Sequence, residues 1–270
     1  MPSSIDQITD SAIRSTMLAA SAAASDITLG MFRTGLSVDN KLKSGFDPVT
    51  AADRDAETVI RGIISDGHPT HGIIGEEWDA LRSESTFTWI IDPIDGTRAY
   101  IAGVPVWGTL IGLLEGDRPV AGLMHQPFID ECWIATGGQT LYRRSGVETP
   151  ARTSAVTSLA RARATTTSPE IFQGPHTVGW SAIRDAVLQV RYGLDCYGYC
   201  LLASGHIDLV VETELKDVDI APLIPIIEGA GGVVSTWDGG PAARGGTCVA
   251  AATPELHAQA LALLRRAVLE

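Results

Sequence analysis

Asp92-Pro93-Ile94-Asp95-Gly96-Thr97 sets two carboxylates around a proline and a glycine, directly after the apolar run Trp89-Ile90-Ile91. The run predicts a buried strand, and Pro93, which has no backbone donor, predicts its end. Both acids are therefore expected at the mouth of a sheet. Gly96 opens backbone conformations closed to other residues, and Thr97 is suited to begin a helical turn whose free N–H groups attract an anion. Acids beside an anion site need a cation between them. A hard dication, most simply Mg2+, bridging carboxylates and a phosphate is the chemistry these residue types suggest. Taken alone, the hexapeptide also fits a strand-to-helix turn carrying a solvated Asp.

Three further segments each offer an acid at the end of a regular element: Asp53 in Pro-Val-Thr-Ala-Ala-Asp, Glu76 in Gly-Glu-Glu, and Asp219 in Asp-Val-Asp-Ile-Ala-Pro. Singly, Asp53 reads as a helix cap, Glu76 with Glu77 as a solvated turn, and Asp219 as a helix N-terminal charge favoured by the dipole. Gathered in one place they could not all stay ionised without help. Two carboxylates roughly 5 Å apart repel by about 3 kcal/mol at an effective dielectric of 20, and several together rival the stability of a domain. Dications remove that conflict, and a pair about 4 Å apart can generate hydroxide near neutral pH and stabilise the leaving oxygen of an in-line displacement.

The elements that must position these acids are legible in outline. Ile5 to Phe32 predicts a long amphipathic helix, with Ile8, Ile13, Met17 and Leu18 at helical spacing. Lys41 to Pro48 predicts a loop. Thr50 with Asp53 forms a capping-box pattern for a helix running to Gly67. Ile73-Ile74 and Phe87 to Ile91 predict strands. From Trp107 to Arg143, consecutive hairpins predict an antiparallel meander. Pro150 to Ser158 predicts a boundary between an N-terminal α+β half (1–150) and a C-terminal α/β half (151–270). There, strands at 162–166, 207–211, 232–235 and 247–251 alternate with helices at 181–186, 196–203, 220–228 and 254–268.

The chain has 270 residues and a formal charge of -12, with no basic run, so its field repels nucleic acid and anionic membrane. Met1 to Asp10 is polar and acidic, and no apolar stretch of about 18 residues occurs, which predicts a cytoplasmic protein. Cys132, Cys196, Cys200 and Cys248 show no metal or redox spacing and read as small core residues.

In this order, Gly-Glu-Glu, Asp-Pro-Ile-Asp-Gly-Thr and the late Asp-x-Ala segment resemble the inositol monophosphatase-like superfamily of Mg2+-dependent, Li+-sensitive phosphatases, over nearly the whole chain. The resemblance implies a layered αβαβα fold with a mixed N-terminal sheet, a smaller C-terminal sheet and a homodimer. It further implies two to three Mg2+ per site, with Mn2+ as substitute: Glu76, Asp92 and the Ile94 carbonyl for the first, Asp92, Asp95 and Asp219 for the second, and Asp53 with Glu76 for a third. Thr97 and Glu76 would position the attacking water, and the Gly96 and Thr97 amides would receive the phosphate.

Residues 103–114, 126–128 and 191–212 resemble the histidinol-phosphate phosphatase branch, whose substrate carries an amine and an imidazole. Cationic groups want carboxylates, and Asp195 and Glu212 remain once the metals are served. Asp195 also reads as a cap for the helix beginning at Cys196. His125 and Asp217-Val218 depart from the branch; Tyr192, Tyr197 and Tyr199 read as core or interface residues before stacking partners. An inositol or sugar phosphate is the alternative substrate. Asp217-x-Asp219 mimics an aspartyl-phosphate motif, a chemistry that leaves Asp92 to Thr97 unexplained, and a metal- or phosphate-binding relative without activity is the non-enzymatic reading.

Overall fold

The protein is described by a computed structural model covering residues 9–35, 37–40 and 48–269. The first turn predicted from Ile5 and the loop from Lys41 to Asp47 lie outside the described residues. Helix α1 (Asp10–Met31) starts at Thr9, whose hydroxyl accepts the Ala12 N–H, and buries Ile13, Met17, Ala20 and Ala24 along one face. A two-residue ribbon of β1 (Asp39–Asn40) and β2 (Pro48–Val49) leads to α2 (Ala51–Gly67), which opens with the predicted capping box and buries Ala56, Ile60 and Ile64.

Seven strands follow in one sheet, in spatial order β3 to β9: β3 (Gly72–Gly75), β4 (Phe87–Asp95), β5 (Gly108–Glu115), β6 (Arg118–Gln126), β7 (Glu131–Thr136), β8 (Gln139–Arg144) and β9 (Val147–Pro150). Only β3 and β4 run parallel; the rest is the antiparallel meander. Short α3 (Thr97–Ile101) interrupts it after β4. The second sheet has the order β11-β10-β12-β14-β13, built from β10 (Arg163–Thr166), β11 (Gln189–Tyr192), β12 (Leu209–Leu215), β13 (Val233–Ser235) and β14 (Gly246–Ala251). Helices α4 (Pro175–Ala186), α5 (Asp195–Ala203), α6 (Asp217–Ile220), α7 (Leu223–Gly229) and α8 (Pro254–Leu269) complete the chain.

Strand alternation sorts the cores into layers. Trp89, Ile91, Ile111 and Leu113 face α1 and α2. On the other face of the same sheet Leu110 joins residues of α5, α7 and the second sheet, among them Cys200, Ile226, Val210 and Ala250. Leu209, Val211, Val249 and Ala251 turn the opposite way, toward Ile183 of α4 and Leu264 of α8. The result is the five-layer αβαβα order expected, with the smaller, mixed sheet C-terminal. All four cysteines are free and buried.

Three local expectations are corrected. Pro93 does not end its strand: β4 continues to Asp95 because a register shift absorbs the proline. The helix expected from Ile220 to Glu228 is split into α6 and α7 around Pro222, which has no N–H for the helical ladder. Strands β9 and β11, too short and polar for a periodic signal, were not anticipated. Gly112 and Gly122, cross-strand partners on β5 and β6, let Pro222 lie on the sheet: a Cβ on Gly122 would stand 1.9 Å from the Pro222 carbonyl oxygen.

Asp208, fully buried, ties the second sheet together by accepting from Arg163 N, Nε and Nη2 at 2.8, 2.9 and 3.1 Å and from Ser154 Oγ at 2.5 Å. Burial raises its pKa, but the Arg163 and Ser154 bonds win and hold it below the ordinary 3.8. Its stabilisation is therefore complete above the unfolded value and is lost as pH falls through the lower folded one. Asp208→Asn should cost about 2 kcal/mol, since the buried position loses its charge-assisted bonds to the partly exposed Arg163 and to Ser154. Urea melts should show the gap to wild type narrowing below about pH 4; a gap that persists at pH 2 rejects the assignment.

Candidate active site

At the register shift Asp92 pairs with Leu110 and Asp95 with Gly108, so β4 advances three residues where β5 advances two. Such a bulge re-aims side chains. It is pinned by Thr109 Oγ1 donating to the Pro93 carbonyl at 2.8 Å. Gly96 then turns the chain into α3 at φ 82°, the left-handed region that glycine enters without strain. A Cβ there would lie 3.1 Å from Cβ of Asp195. Thr97 Oγ1 donates to the Ile94 carbonyl at 3.0 Å.

Carboxylate oxygens of Asp92, Asp95 and Asp219 lie within 4.8 Å of one another. Each of these acids, and Asp53 beside them, has one oxygen held by a backbone N–H: Asp92 Oδ1 by Ile94 at 3.0 Å, Asp95 Oδ2 by Cys196 at 2.8 Å, Asp219 Oδ2 by Lys216 at 2.7 Å and Asp53 Oδ2 by Thr50 at 2.8 Å. The Asp53 tether belongs to the capping box that starts α2, whereas at α6 only the Asp219 half of such a box forms, because the Lys216 ammonium has no acceptor atom. With one oxygen fixed, the other is presented at a set angle.

The electrostatics report an uncompensated cluster. Burial first, then Glu76, Asp95, Asp219 and Asp53, push Asp92 well above the ordinary carboxylate range. Burial, Asp219 and Asp195 do the same to Asp95. Asp219 rises to about 6, chiefly through burial, and Asp53 is raised by burial against the lowering effect of its Thr50 bonds. Hard, half-tethered oxygens at this spacing fit a dication, which would return all of them to the ionised form.

Glu76 follows β3 and is a near neighbour of Asp92 and Asp219, outside their close group of three. Lys216 Nζ holds its Oε1 at 2.8 Å. Behind it Glu57, buried in α2, accepts from Arg61 Nε and the Glu77 N–H, both at 2.7 Å, and Arg61 clasps the Trp78 and Asp79 carbonyls. Lys216, Glu57 and Arg61 were missed in the sequence. The i, i+4 spacing of Glu57 and Arg61 was the available sign.

Asp95, Gly96, Thr97, Asp195, Glu212 and Asp219 line one cavity of about 280 Å³, which Arg98 also enters. A roomier one of about 490 Å³ beside Trp237 and Leu264 holds none of these acids, and chemistry favours the smaller. Asp195 caps nothing: Asp95 takes the Cys196 N–H, and the start of α5 has no side-chain cap. Burial lifts Asp195 to about 6 against the pull of Arg98, and lifts Glu212 to about 8 although Glu212 Oε1 accepts the Thr167 N–H at 2.6 Å. His125 bonds Ser25 Oγ at 3.1 Å, against α1 and away from the cluster. Tyr192, Tyr197 and Tyr199 do not line the cavity.

Acids gathered at the mouth of the larger sheet of an αβαβα frame, beside a short helix start, fit the chemistry of a metal-assisted phosphoric monoester hydrolase. Its relatives place it more closely. The inositol monophosphatase family profile matches residues 10–269. Bifunctional phosphatase IMPL2 of Arabidopsis thaliana is 40% identical over 230 residues, 81% of this chain, and the match spans 66% of the plant protein, just under two thirds of its length. Histidinol-phosphatase of Mycobacterium tuberculosis is 34% identical over 77% of this chain and 81% of its own. The solved inositol monophosphatase from Zymomonas mobilis superposes with a TM-score of 0.85 at 37% identity, over 96% of this chain and 100% of that one. The chain belongs to the inositol monophosphatase family.

Proposed function

We propose that this protein hydrolyses histidinol phosphate, with Mg2+ as its working ion and Mn2+ as a substitute. The observation that carries the substrate is the pair Asp195 and Glu212, two acids lining the cavity that no metal set requires and that suit a ligand with an amine and an imidazole. Relatives named histidinol-phosphatase support it. In this reading Glu76, Asp92 and the Ile94 carbonyl hold one ion, Asp92, Asp95 and Asp219 a second, and Asp53 with Glu76 a third. Ions held by these residues would supply charge to neutralise the phosphate and would lower the pKa of water toward 7. Glu76 and the Thr97 hydroxyl would orient the attacking water, and the Gly96 and Thr97 amides would receive phosphate oxygens. The hydroxyl of Thr97 already points along the Ile94 carbonyl, so its rotamer is set before substrate arrives.

Lithium sensitivity, a cytoplasmic location, homodimer assembly, indifference to nucleic acid and a division of the chain near residues 151–158 belong to the same proposal. Among the described residues no helix is long and apolar enough to cross a membrane. Inositol 1-phosphate is the second reading, favoured by relatives named inositol-1-monophosphatase. Asp195→Asn decides: it should lower kcat/KM for histidinol phosphate about thirtyfold, the worth of a hydrogen bond to a charged group, and spare p-nitrophenyl phosphate. Equal loss on both rejects Asp195 as a recognition residue.

A further inference from the structure

Between Glu212 and Leu215 the pairing of β12 with β14 shifts register. Glu214 sits in that shift at φ 63°, a left-handed conformation that is strained for a residue with a Cβ. Packing does not explain a glutamate there. Its side chain is exposed, and among the described residues its carboxylate has neither a hydrogen-bond nor an ion-pair partner. Glycine would make the same turn without strain. What Glu214 does have is a place on the wall of the cavity that contains Asp195 and Glu212.

We propose that Glu214 is a specificity-determining residue that receives the ammonium group of a cationic phosphate monoester at the cavity rim. The inference rests on the histidinol phosphate reading and deepens it. An ammonium is compact and strongly hydrated, so it is best met by an exposed carboxylate that lets it keep part of its water. An imidazole is more readily desolvated and suits the interior acids, of which Glu212 is 3% exposed. Three acids lining one cavity thus divide the two cationic ends of one ligand. The strain at Glu214 is the stability given up to hold the outermost charge in place, a known trade at binding sites.

Two variants test this with separate readouts. Glu214→Gln removes the charge and keeps the backbone; Glu214→Gly removes both charge and strain. Steady-state kinetics on histidinol phosphate and inositol 1-phosphate should show Glu214→Gln raising KM for histidinol phosphate about tenfold relative to inositol 1-phosphate, with kcat little changed. That shift should shrink between roughly 50 mM and roughly 500 mM salt, because the contact is exposed. Glu214→Gly should give the same shift with a Tm about 2 °C higher than wild type. An unchanged substrate ratio in Glu214→Gln overturns the proposal, as does a ratio that moves only in Glu214→Gly, which would assign the effect to the backbone. The wild-type ratio reports separately on the substrate: a preference for inositol 1-phosphate sinks the histidinol phosphate reading, while the change on losing the charge still decides Glu214.

Discussion

Asp92→Asn is expected to lower Mg2+-dependent turnover by at least about 10³-fold and, in the same protein stripped with EDTA, to raise Tm by about 4 °C. The two effects share one cause. Asp92 is 2% exposed and stands among Glu76, Asp95, Asp219 and Asp53, so its charge is the most heavily opposed in the cluster. An amide keeps the shape and the Oδ1 acceptor for Ile94 N–H while removing the charge. Without ions the cluster relaxes; with ions an oxygen proposed to serve two of them becomes a weak ligand.

The pH dependence has a defined sign. Asp92 and Asp95 are raised, Asp219 reaches about 6 and Glu212 about 8. A carboxyl whose folded pKa is raised penalises folding once pH exceeds its unfolded value, and the penalty is complete above the folded one. EDTA-treated wild type should therefore melt at a higher temperature at pH 5 than at pH 8, and Asp92→Asn should show a smaller difference. Scanning calorimetry with and without Mg2+ checks both. A variant that melts lower than wild type in EDTA, or that turns over normally with Mg2+, removes Asp92 from the centre of the site.

Gly122→Ala is expected to be severely damaging, costing about 3 kcal/mol or more and about 8 °C in Tm. The new Cβ would meet the Pro222 carbonyl oxygen at 1.9 Å and the carbonyl carbon at 2.9 Å, backbone atoms that cannot rotate away. Gly112→Ala, whose nearest obstacle is Ile90 Cγ2 at 2.7 Å, a side-chain methyl, should cost less. Because Pro222 directly follows the turn bearing Asp219, displacement of α6 and α7 should also weaken Mn2+ binding about tenfold, measured by calorimetry on the folded fraction. Equal stability of the two variants, or undisturbed Mn2+ binding in Gly122→Ala, refutes the coupling.

What the sequence disclosed was what short-range rules encode. The capping box at Thr50 and Asp53, the strand entering Asp92, the turn at Gly96 and the helical face of Ile60 and Ile64 each depend on neighbours a few residues away. The order of motifs, carried by resemblance, supplied the family and the layered fold. What escaped depends on partners distant in the chain. Capping and recognition fit Asp195 equally in the sequence, because nothing local shows that Asp95 takes the Cys196 N–H from another sheet. Lys216 on Glu76 and the left-handed Glu214 are likewise products of tertiary arrangement. Pro93 misled because the rule for strand ends holds for a flat ladder, and a bulge is the exception.

Asp95 joins two parts of the molecule with a single functional group. Its Oδ2 is fastened to the first turn of α5, in the layer shared with the smaller sheet, and the same carboxylate lies among its companion acids. A change in the size or charge of an ion held by those acids would be passed through Asp95 to the peptide adjoining Asp195, a residue no ion need touch. Discrimination among organic substrates can in this way vary with the identity of the inorganic partner.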